Sequence, residues 1–289
     1  MRELTVKAKD GLELSCALFE CENPKALIQV IHGAKEHKGR YYNFCEFLCS
    51  MGYTVIVSDN RGHGMSINAK YFLGHFDSLD QMVSDQYEIT KFIKELVPDK
   101  SLYMFGHSFG SLIARNYLQE HDNEIEKLVT TGTVFPVHIA PIGKFFCKLS
   151  SKLHGGNSQK GLASKVANSG GDSWVCANPY TIREFRNDPL VQSCKYTNAA
   201  AYVFADAEAN LVKYKKYKCK NENLTILMAN GEKDIFRGTY IGEHKAKKVL
   251  NKIGYTHVFT ISYPKMKHEV INELDKASVY SDIVRFYNS

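Results

Sequence analysis

A serine, a carboxylate and a histidine stand in this chain in the order and setting that acyl transfer requires. Gly106-His107-Ser108-Phe109-Gly110 carries the pattern G-x-S-x-G. A serine hydroxyl is a weak nucleophile until a base takes its proton and a third group orients that base. Asp234 closes the loop Asn230-Gly231-Glu232-Lys233-Asp234, and His268 lies in Pro264-Lys265-Met266-Lys267-His268-Glu269. Of the eleven histidines, His268 is the one placed in a loop directly after the final expected strand. His257 starts that strand, and His244 belongs to a helix. Taken singly, Asp234 reads as a turn former and His268 as an exposed loop histidine. Behind a G-x-S-x-G serine, in the order Ser, acid, His, they read as orienter and base.

A tetrahedral oxyanion needs two donors. One expected donor is the N–H of Phe109, the residue after the nucleophile. The other comes from a loop after an early strand; that strand ends at Ile31 and is followed by His32-Gly33-Ala34, so Ala34 N–H is the second. His32 is expected to support the loop rather than to react.

These groups must be carried by particular elements. Ser108 requires a strand running into a helix, with small residues at 106 and 110 where the turn is sharp. The β-rich run Leu102–Phe105 and the helix-period run Phe109–Glu120 supply them. Further short apolar runs, at Ala26–Ile31, Tyr53–Ser58, Leu128–Thr131, Leu224–Ala229 and His257–Tyr263, predict strands. The stretches Tyr42–Met51, Leu79–Leu96, Ile241–Lys252 and Asn272–Tyr287 predict helices. Leu4–Phe19 alternates around Asp10-Gly11, a hairpin signal. Strands alternating with helices imply an α/β fold: a mainly parallel central sheet with helices on both faces. The alternation stops between Phe135 and about Lys220. There a helical stretch, a Gly/Ser/Asn-rich segment (Gly155–Gly171) and a further helix (Asn198–Lys216) predict a helical lid. Residues 1–134 and 221–289 then form the core, and 135–220 the lid insertion and following helices.

Composition narrows the classes. With 289 residues, 44% hydrophobic and 24% charged, the chain is neither disordered nor collagen-like. No stretch approaches the ~20 apolar residues of a membrane span. Met1 to Asp10 lacks the apolar core of an export signal, and the eight cysteines are scattered without metal-ligand spacing. A cytoplasmic protein with reduced thiols is expected. Charge is uneven: residues 1–134 carry 14 Lys+Arg against 18 Asp+Glu, a net of −4, and residues 135–289 carry 23 against 13, a net of +10. No H-E-x-x-H, P-loop or dinucleotide fingerprint occurs, so no metal or cofactor is implied.

The stretches His32-Gly33-Ala34-Lys35-Glu36-His37-Lys38-Gly39-Arg40-Tyr41, Asp59-Asn60-Arg61-Gly62-His63-Gly64-Met65-Ser66, Gly106–Gly110, Asn187-Asp188-Pro189-Leu190, Gly231–Asp234 and His268-Glu269 resemble the monoacylglycerol lipase branch of the α/β-hydrolases. The Lys-, Asn- and Tyr-rich character with a divergent lid is most similar to its poxviral homologues. The resemblance implies a serine esterase that cleaves monoacylglycerol to fatty acid and glycerol, with Ser108, Asp234 and His268 as triad and Ala34 and Phe109 as oxyanion hole. It also places Glu36 and Arg40 near the glycerol head; their spacing equally fits a local salt bridge across one helical turn. Asp59–Ser66 reads as a structural turn. Three positions depart from mammalian members: Lys35 replaces a Gly, Ile271 a second His and Arg237 a Cys. The segment Gly143–Ser173 matches poorly. A lysophospholipase or broad carboxylesterase is the alternative activity, and a non-catalytic lipid-binding or partner-binding relative the alternative class.

Within the lid, Ile142, Phe145, Phe146, Leu149 and Leu153 form one apolar helical face, beside Lys144, Lys148 and Lys152. Such a helix either packs its apolar face on the core or lies on an anionic membrane surface. A second run, Lys213, Lys215, Lys216, Lys218 and Lys220 with Tyr214 and Tyr217, has no nucleic-acid motif beside it. It reads as a solvated face, and no nucleic-acid partner is expected. Oligomeric state is not encoded in any of these patterns.

Overall fold

The amino-terminal hairpin forms as its alternation requires. In a computed structural model of the chain, β1 (Arg2–Lys7) and β2 (Glu13–Phe19) pair antiparallel, from Arg2 opposite Leu18 to Lys7 opposite Glu13. The turn between them places Gly11 at φ 88°, a conformation that glycine adopts without steric cost. The structure describes residues 1–135, 139–212, 217–237 and 239–289.

The remaining strands are β3 (Leu27–Ile31), β4 (Thr54–Ser58), β5 (Leu102–His107), β6 (Lys127–Thr131), β7 (Thr225–Gly231) and β8 (His257–Tyr263). The sheet order is β1-β2-β4-β3-β5-β6-β7-β8. β2 joins β4 antiparallel, and every later pairing is parallel. β3 and β4 are buried along their whole length, as parallel strands covered on both faces must be. β5 runs two residues beyond the apolar run that marks it, so the strand itself delivers His107 to the edge of the turn.

Helices α1 (Tyr42–Ser50), α2 (Leu79–Leu96) and α3 (Phe109–His121) follow β3, β4 and β5. Between β6 and β7 stand α4 (Ala140–His154), α5 (Leu162–Ala167), α6 (Pro179–Asn187), α7 (Pro189–Gln192) and α8 (Asn198–Val212). No strand interrupts them among the described residues. α9 (Thr239–Ile253) and α10 (Lys276–Asn288) complete the chain. One side of the sheet packs on α2, α3, α8 and α9, through residues such as Met82, Ile113, Val203 and Leu250; the other packs on α1 and α10, through Phe44, Leu48, Val279 and Ile283. The last helix starts later than its periodicity suggests. The Glu273 carboxylate accepts the backbone N–H groups of Lys267 (2.8 Å) and Ala177 (2.9 Å), and the chain makes only a 3₁₀ turn, Val270–Asn272, before α10.

α4 settles which way its apolar stripe faces. It lies on α8 through polar and small groups: the Lys144 ammonium pairs with the Asp206 carboxylate, and Ser150 Oγ donates to Asn198 Oδ1 at 3.2 Å. Ile142, Phe145, Phe146, Leu149 and Leu153 consequently point outward and are 40–68% exposed. The reading in which this face packs on the core is therefore corrected. Lys148 and Lys152 are exposed beside it, whereas Lys144 is held at the helix–helix contact. Of the second lysine run, Lys213, Tyr214, Lys215 and Lys216 lie outside the described residues. Tyr217 is buried, and Lys220 is tied by its backbone N–H to Asp122 (2.7 Å) and by Nζ to the Glu120 carbonyl (3.2 Å). All eight cysteines are unbridged.

Candidate active site

Ser108 sits between the end of β5 and the first turn of α3 at φ 51°, ψ −116°. A non-glycine residue there is strained by about 1–3 kcal/mol, which the surroundings must hold in place. They do so from both sides. Ser108 N–H donates to the Thr131 carbonyl of β6 (2.9 Å), and its own carbonyl accepts Ser111 N–H (2.9 Å) and Ser111 Oγ (2.6 Å). The flanking glycines are needed for backbone approach. A Cβ on Gly106 would stand 2.7 Å from the Gly110 carbonyl oxygen, and one on Gly110 only 2.2 Å from that of Ile31.

His268 and Asp234, 34 residues apart in sequence, meet above the ends of β7 and β8. His268 Nδ1–H donates to Asp234 Oδ2 at 2.9 Å, and Phe236 N–H donates to Oδ1 at 2.9 Å. Both side chains are buried. With Nδ1 bearing the proton, Nε2 carries the lone pair, and it is a buried nitrogen with no hydrogen-bond partner among the described residues. A buried polar atom left without a partner is uncommon and marks a place where another group belongs. Gly132, at φ 54°, leaves room for the ring: a Cβ there would stand 2.7 Å from His268 Cε1. His107 lies tilted beside His268 (centroids 4.8 Å) and bonds Thr131 Oγ1 through Nδ1 (2.9 Å); burial and the neighbouring His268 push its pKa down to about 3, so it is a neutral spacer.

The loop after β3 is pinned peptide by peptide. Gly33 N–H donates to Glu36 Oε2 (2.7 Å). The next peptide, Gly33–Ala34, is held by its carbonyl, which accepts His32 Nδ1–H at 2.7 Å. The one after is held by Lys35 N–H, which donates to the Tyr196 hydroxyl. His32 Nε2 in turn accepts Asn60 N–H (2.8 Å), and burial lowers the His32 pKa to about 4, keeping it neutral. The supporting part expected of His32 is what the structure shows. The N–H of Ala34 finds no acceptor among the described residues, and neither does that of Phe109 at the start of α3, where helical amides lack internal partners. Gly33 stands close to the nucleophile, since a Cβ on it would lie 3.0 Å from Ser108 Cβ and 2.6 Å from Glu36 Oε2.

Glu36 and Arg40 turn their charges inward. Arg40 Nε lies 3.4 Å from Glu36 Oε1, so the local pair across one turn forms. Arg40 Nη2 also bonds both oxygens of Glu269, at 2.9 and 2.6 Å, and Tyr41 OH donates to Glu36 Oε2 (2.8 Å). All three charged side chains are 3–8% exposed. Glu36 and Arg40, expected near a head group or in a local salt bridge, form with Glu269 a buried carboxylate–guanidinium–carboxylate bridge. It joins the loop after β3 to the residue next to His268. Asp59 is likewise structural: it accepts Lys38 N–H (2.7 Å) and Met65 N–H (2.9 Å), and the glycine at 64 leaves space for its carboxylate. Arg237 pairs with Glu243 (2.7 Å) and donates to Ser262 Oγ (2.8 Å).

Residues 22–275 match the family model described as Hydrolase_4, serine aminopeptidase, S33. The chain belongs to the Hydrolase_4 family. It is 24% identical over 90% of its length to a monoacylglycerol lipase of Mycolicibacterium smegmatis, covering 87% of that protein, and 26% identical over 90% to a monoglyceride lipase homolog of Monkeypox virus, covering 88%. Among solved structures it is similar to a thermostable carboxyl esterase from Bacillus coagulans in complex with glycerol (TM-score 0.86, 23% identity, 99% of this chain and 97% of that one). This Hydrolase_4 member is a carboxylic ester hydrolase with the α/β-hydrolase fold.

Two residues of this hydrolase escape sequence reading altogether. Trp174, the one tryptophan, comes from the segment between α5 and α6 and meets the His268 ring edge-on at 5.0 Å; Phe236 meets both rings, at 5.1 Å to His268 and 4.9 Å to Trp174. Around Trp174 the insertion is sewn to the His268 loop: Glu269 N–H donates to the Val175 carbonyl (2.9 Å), and Lys267 Nζ to that of Ser173. Tyr196 is the second such residue. Neither stands in a periodic pattern or motif, so no local signal marks them.

Proposed function

We propose that the protein hydrolyses monoacylglycerols to fatty acid and glycerol through an acyl-enzyme on Ser108. The observation that carries this reading is the buried, unpartnered Nε2 of an imidazole whose Nδ1–H is held by Asp234; the strained backbone of Ser108 at the end of β5 supports it. In the proposed cycle His268 Nε2 takes the Ser108 proton as Oγ attacks the acyl carbonyl. Asp234 stabilises the imidazolium, and Ala34 and Phe109 N–H bind the oxyanion. His268 then protonates the leaving glycerol, and afterwards activates the water that releases the fatty acid.

A neutral head group suits the electrostatics. Beside the nucleophile the Glu36 and Glu269 carboxylates share one guanidinium, Arg40, which both engage. A phosphate entering there meets net negative charge, which favours glycerol over a lysophospholipid head. The lysophospholipase reading makes the opposite prediction, so turnover of a panel of monoacylglycerols, diacylglycerols and lysophospholipids separates them. Ser108→Ala should abolish turnover in folded protein, and a fluorophosphonate should label Ser108 in the native chain only. Labelling elsewhere, or turnover retained by Ser108→Ala, would overturn the assignment.

In this reading residues 135–220 are the lid on a core of 1–134 and 221–289, and the outward stripe of α4 rests on an anionic membrane that supplies the lipid. No helix among the described residues is long and apolar enough to cross a membrane, and the stripe with Lys148 and Lys152 suits peripheral contact. Replacing Phe145, Phe146 and Leu149 by serine in the Ser108→Ala background should reduce sedimentation with anionic vesicles at least tenfold; unchanged sedimentation refutes the contact.

A further inference from the structure

The insertion meets the loop after β3 at several side chains: Asp188 pairs with His37 (2.7 Å), Phe185 lies under the Arg40 guanidinium, and Tyr196 reaches the Lys35 N–H next to the expected oxyanion donor. Tyr196 lies between α7 and α8 and is 1% exposed. Its backbone is gripped by α5 and the residue after it: Tyr196 N–H donates to Asn168 Oδ1 (2.9 Å), and its carbonyl accepts Ser164 Oγ (2.7 Å) and Asn168 Nδ2 (2.8 Å). The opposite side of α5 carries Leu162 and Val166, exposed at 71% and 64%. The Tyr196 hydroxyl reaches the other way. It accepts Lys35 N–H and stands 2.9 Å from His63 Nε2. His63 Nδ1–H donates to the Arg61 carbonyl (3.1 Å), so Nε2 is an acceptor and the tyrosine donates to it.

The tyrosine ring is also linked, through one intervening ring, to Phe109, the other expected oxyanion donor. It packs edge-on against Phe204 of α8 (4.8 Å), and Phe204 packs edge-on against Phe109 (4.4 Å). Lys35 itself is held at φ 53°, a left-handed conformation that a lysine adopts at a cost. The Tyr196 hydroxyl is the hydrogen-bond acceptor of its N–H, and the adjoining peptide is the one whose N–H is Ala34's.

We propose that Tyr196 is a positioning residue that transmits the placement of the lid to the oxyanion loop, so that the Ala34 donor is aimed only when α5 is seated. The proposal rests on the reading of Ala34 and Phe109 as oxyanion donors. It gives the lid a part in the chemistry besides covering the site: a surface pressing on Leu162 and Val166 acts, through Ser164 and Asn168, on a hydroxyl hydrogen-bonded to the oxyanion loop.

Tyr196→Phe keeps the ring and removes the hydroxyl. Complete loss of an oxyanion donor lowers turnover by about 10²–10³, and a misaimed donor should cost about 10–100-fold. With a soluble p-nitrophenyl ester, and active sites counted by fluorophosphonate titration, kcat per site should fall by that factor while KM changes less than about threefold. Affinity for a trifluoromethyl ketone, which mimics the tetrahedral state, should fall in parallel. A purely structural role lowers the melting temperature and the number of active sites, but leaves kcat per site and ketone affinity unchanged; that result overturns the proposal. If Tyr196→Phe does not fold, Asn168→Ala, remote from the nucleophile, should reproduce the kcat loss, and an unaltered kcat there overturns it equally. Ser108→Ala keeps the two readings apart. If it retains turnover, the nucleophile assignment fails; if it is inactive while both lid variants are normal, only the coupling fails.

Discussion

Replacing Asp234 by Asn tests the site at its most constrained point. Both carboxylate oxygens accept, Oδ2 from His268 Nδ1–H and Oδ1 from Phe236 N–H, each at 2.9 Å. An amide of the same shape offers one acceptor and one donor. If its oxygen stays on Phe236, the NH₂ group faces Nδ1, and the imidazole satisfies it by moving its proton to Nε2. The nitrogen that should take the Ser108 proton is then already protonated. If the amide is turned round, its NH₂ abuts Phe236 N–H in a buried place, at about 1–3 kcal/mol for the unpaired donors. The productive tautomer is disfavoured accordingly, and the imidazolium formed on attack loses its counter-charge. At about 4 Å between charge centres and an effective dielectric of ~20 that attraction is about 4 kcal/mol. Together these terms reach about 5–7 kcal/mol, partly offset by the hydrogen bond that Asn retains. A fall in kcat of about 10⁴ is expected, in line with the same exchange in serine proteases. The assay is kcat on a soluble ester for protein whose melting temperature stays within a few degrees of the parent. A folded Asp234→Asn protein within tenfold of the parent would refute the assigned tautomer and the part given to Asp234.

Gly110→Ala should destabilise by at least about 3 kcal/mol, because its Cβ would meet the backbone oxygens of Ile31 and His32 at 2.2 and 2.6 Å and neither can rotate aside. Gly143→Ala, with nothing within 4 Å and a place inside α4, should instead raise the melting temperature slightly; calorimetry on the pair checks both signs. Burial lowers the pKa of His32 from 6.5 to about 4, and of His63 and His107 to about 3. The unfolded chain therefore takes up protons that the folded one refuses as pH drops below about 6.5. Stability is full above that value and falls by up to about 1.4 kcal/mol per pH unit for each histidine on the way to pH 4. Urea midpoints measured from pH 7 to 5 should decline steeply, and a flat profile contradicts the neutral buried histidines.

The strands were legible because parallel strands buried on both faces must be short β-branched runs, and β3, β4 and β6 are that. The elbow was legible because glycines 106 and 110 are dictated by backbone contact. The α4 stripe was legible as a stripe but not in direction. Its orientation is set by Asp206 and Asn198 on a helix some fifty residues later, which offer polar partners to the opposite face. Glu36 and Arg40 show the same limit. Their spacing reveals the local pair, while Glu269, 229 residues from Arg40, completes the bridge. Tyr196 is 161 residues from Lys35, and only folding makes them neighbours. Local pattern reports what a segment must bury or bend around; it carries no record of which distant segment supplies the partner.

The placement of Trp174 has an experimental consequence. The chain holds a single indole, and it stands 5.0 Å from the imidazole that is to carry the proton, its N–H fixed on the Gly171 carbonyl at 2.7 Å. Tryptophan-selective excitation therefore illuminates one place in the molecule. Charging of the imidazole, arrival of an acyl chain and departure of the alcohol all alter the surroundings of that one fluorophore. The unmodified protein thus contains its own optical gauge of the reaction centre, readable in stopped flow without a label and without background from any other indole.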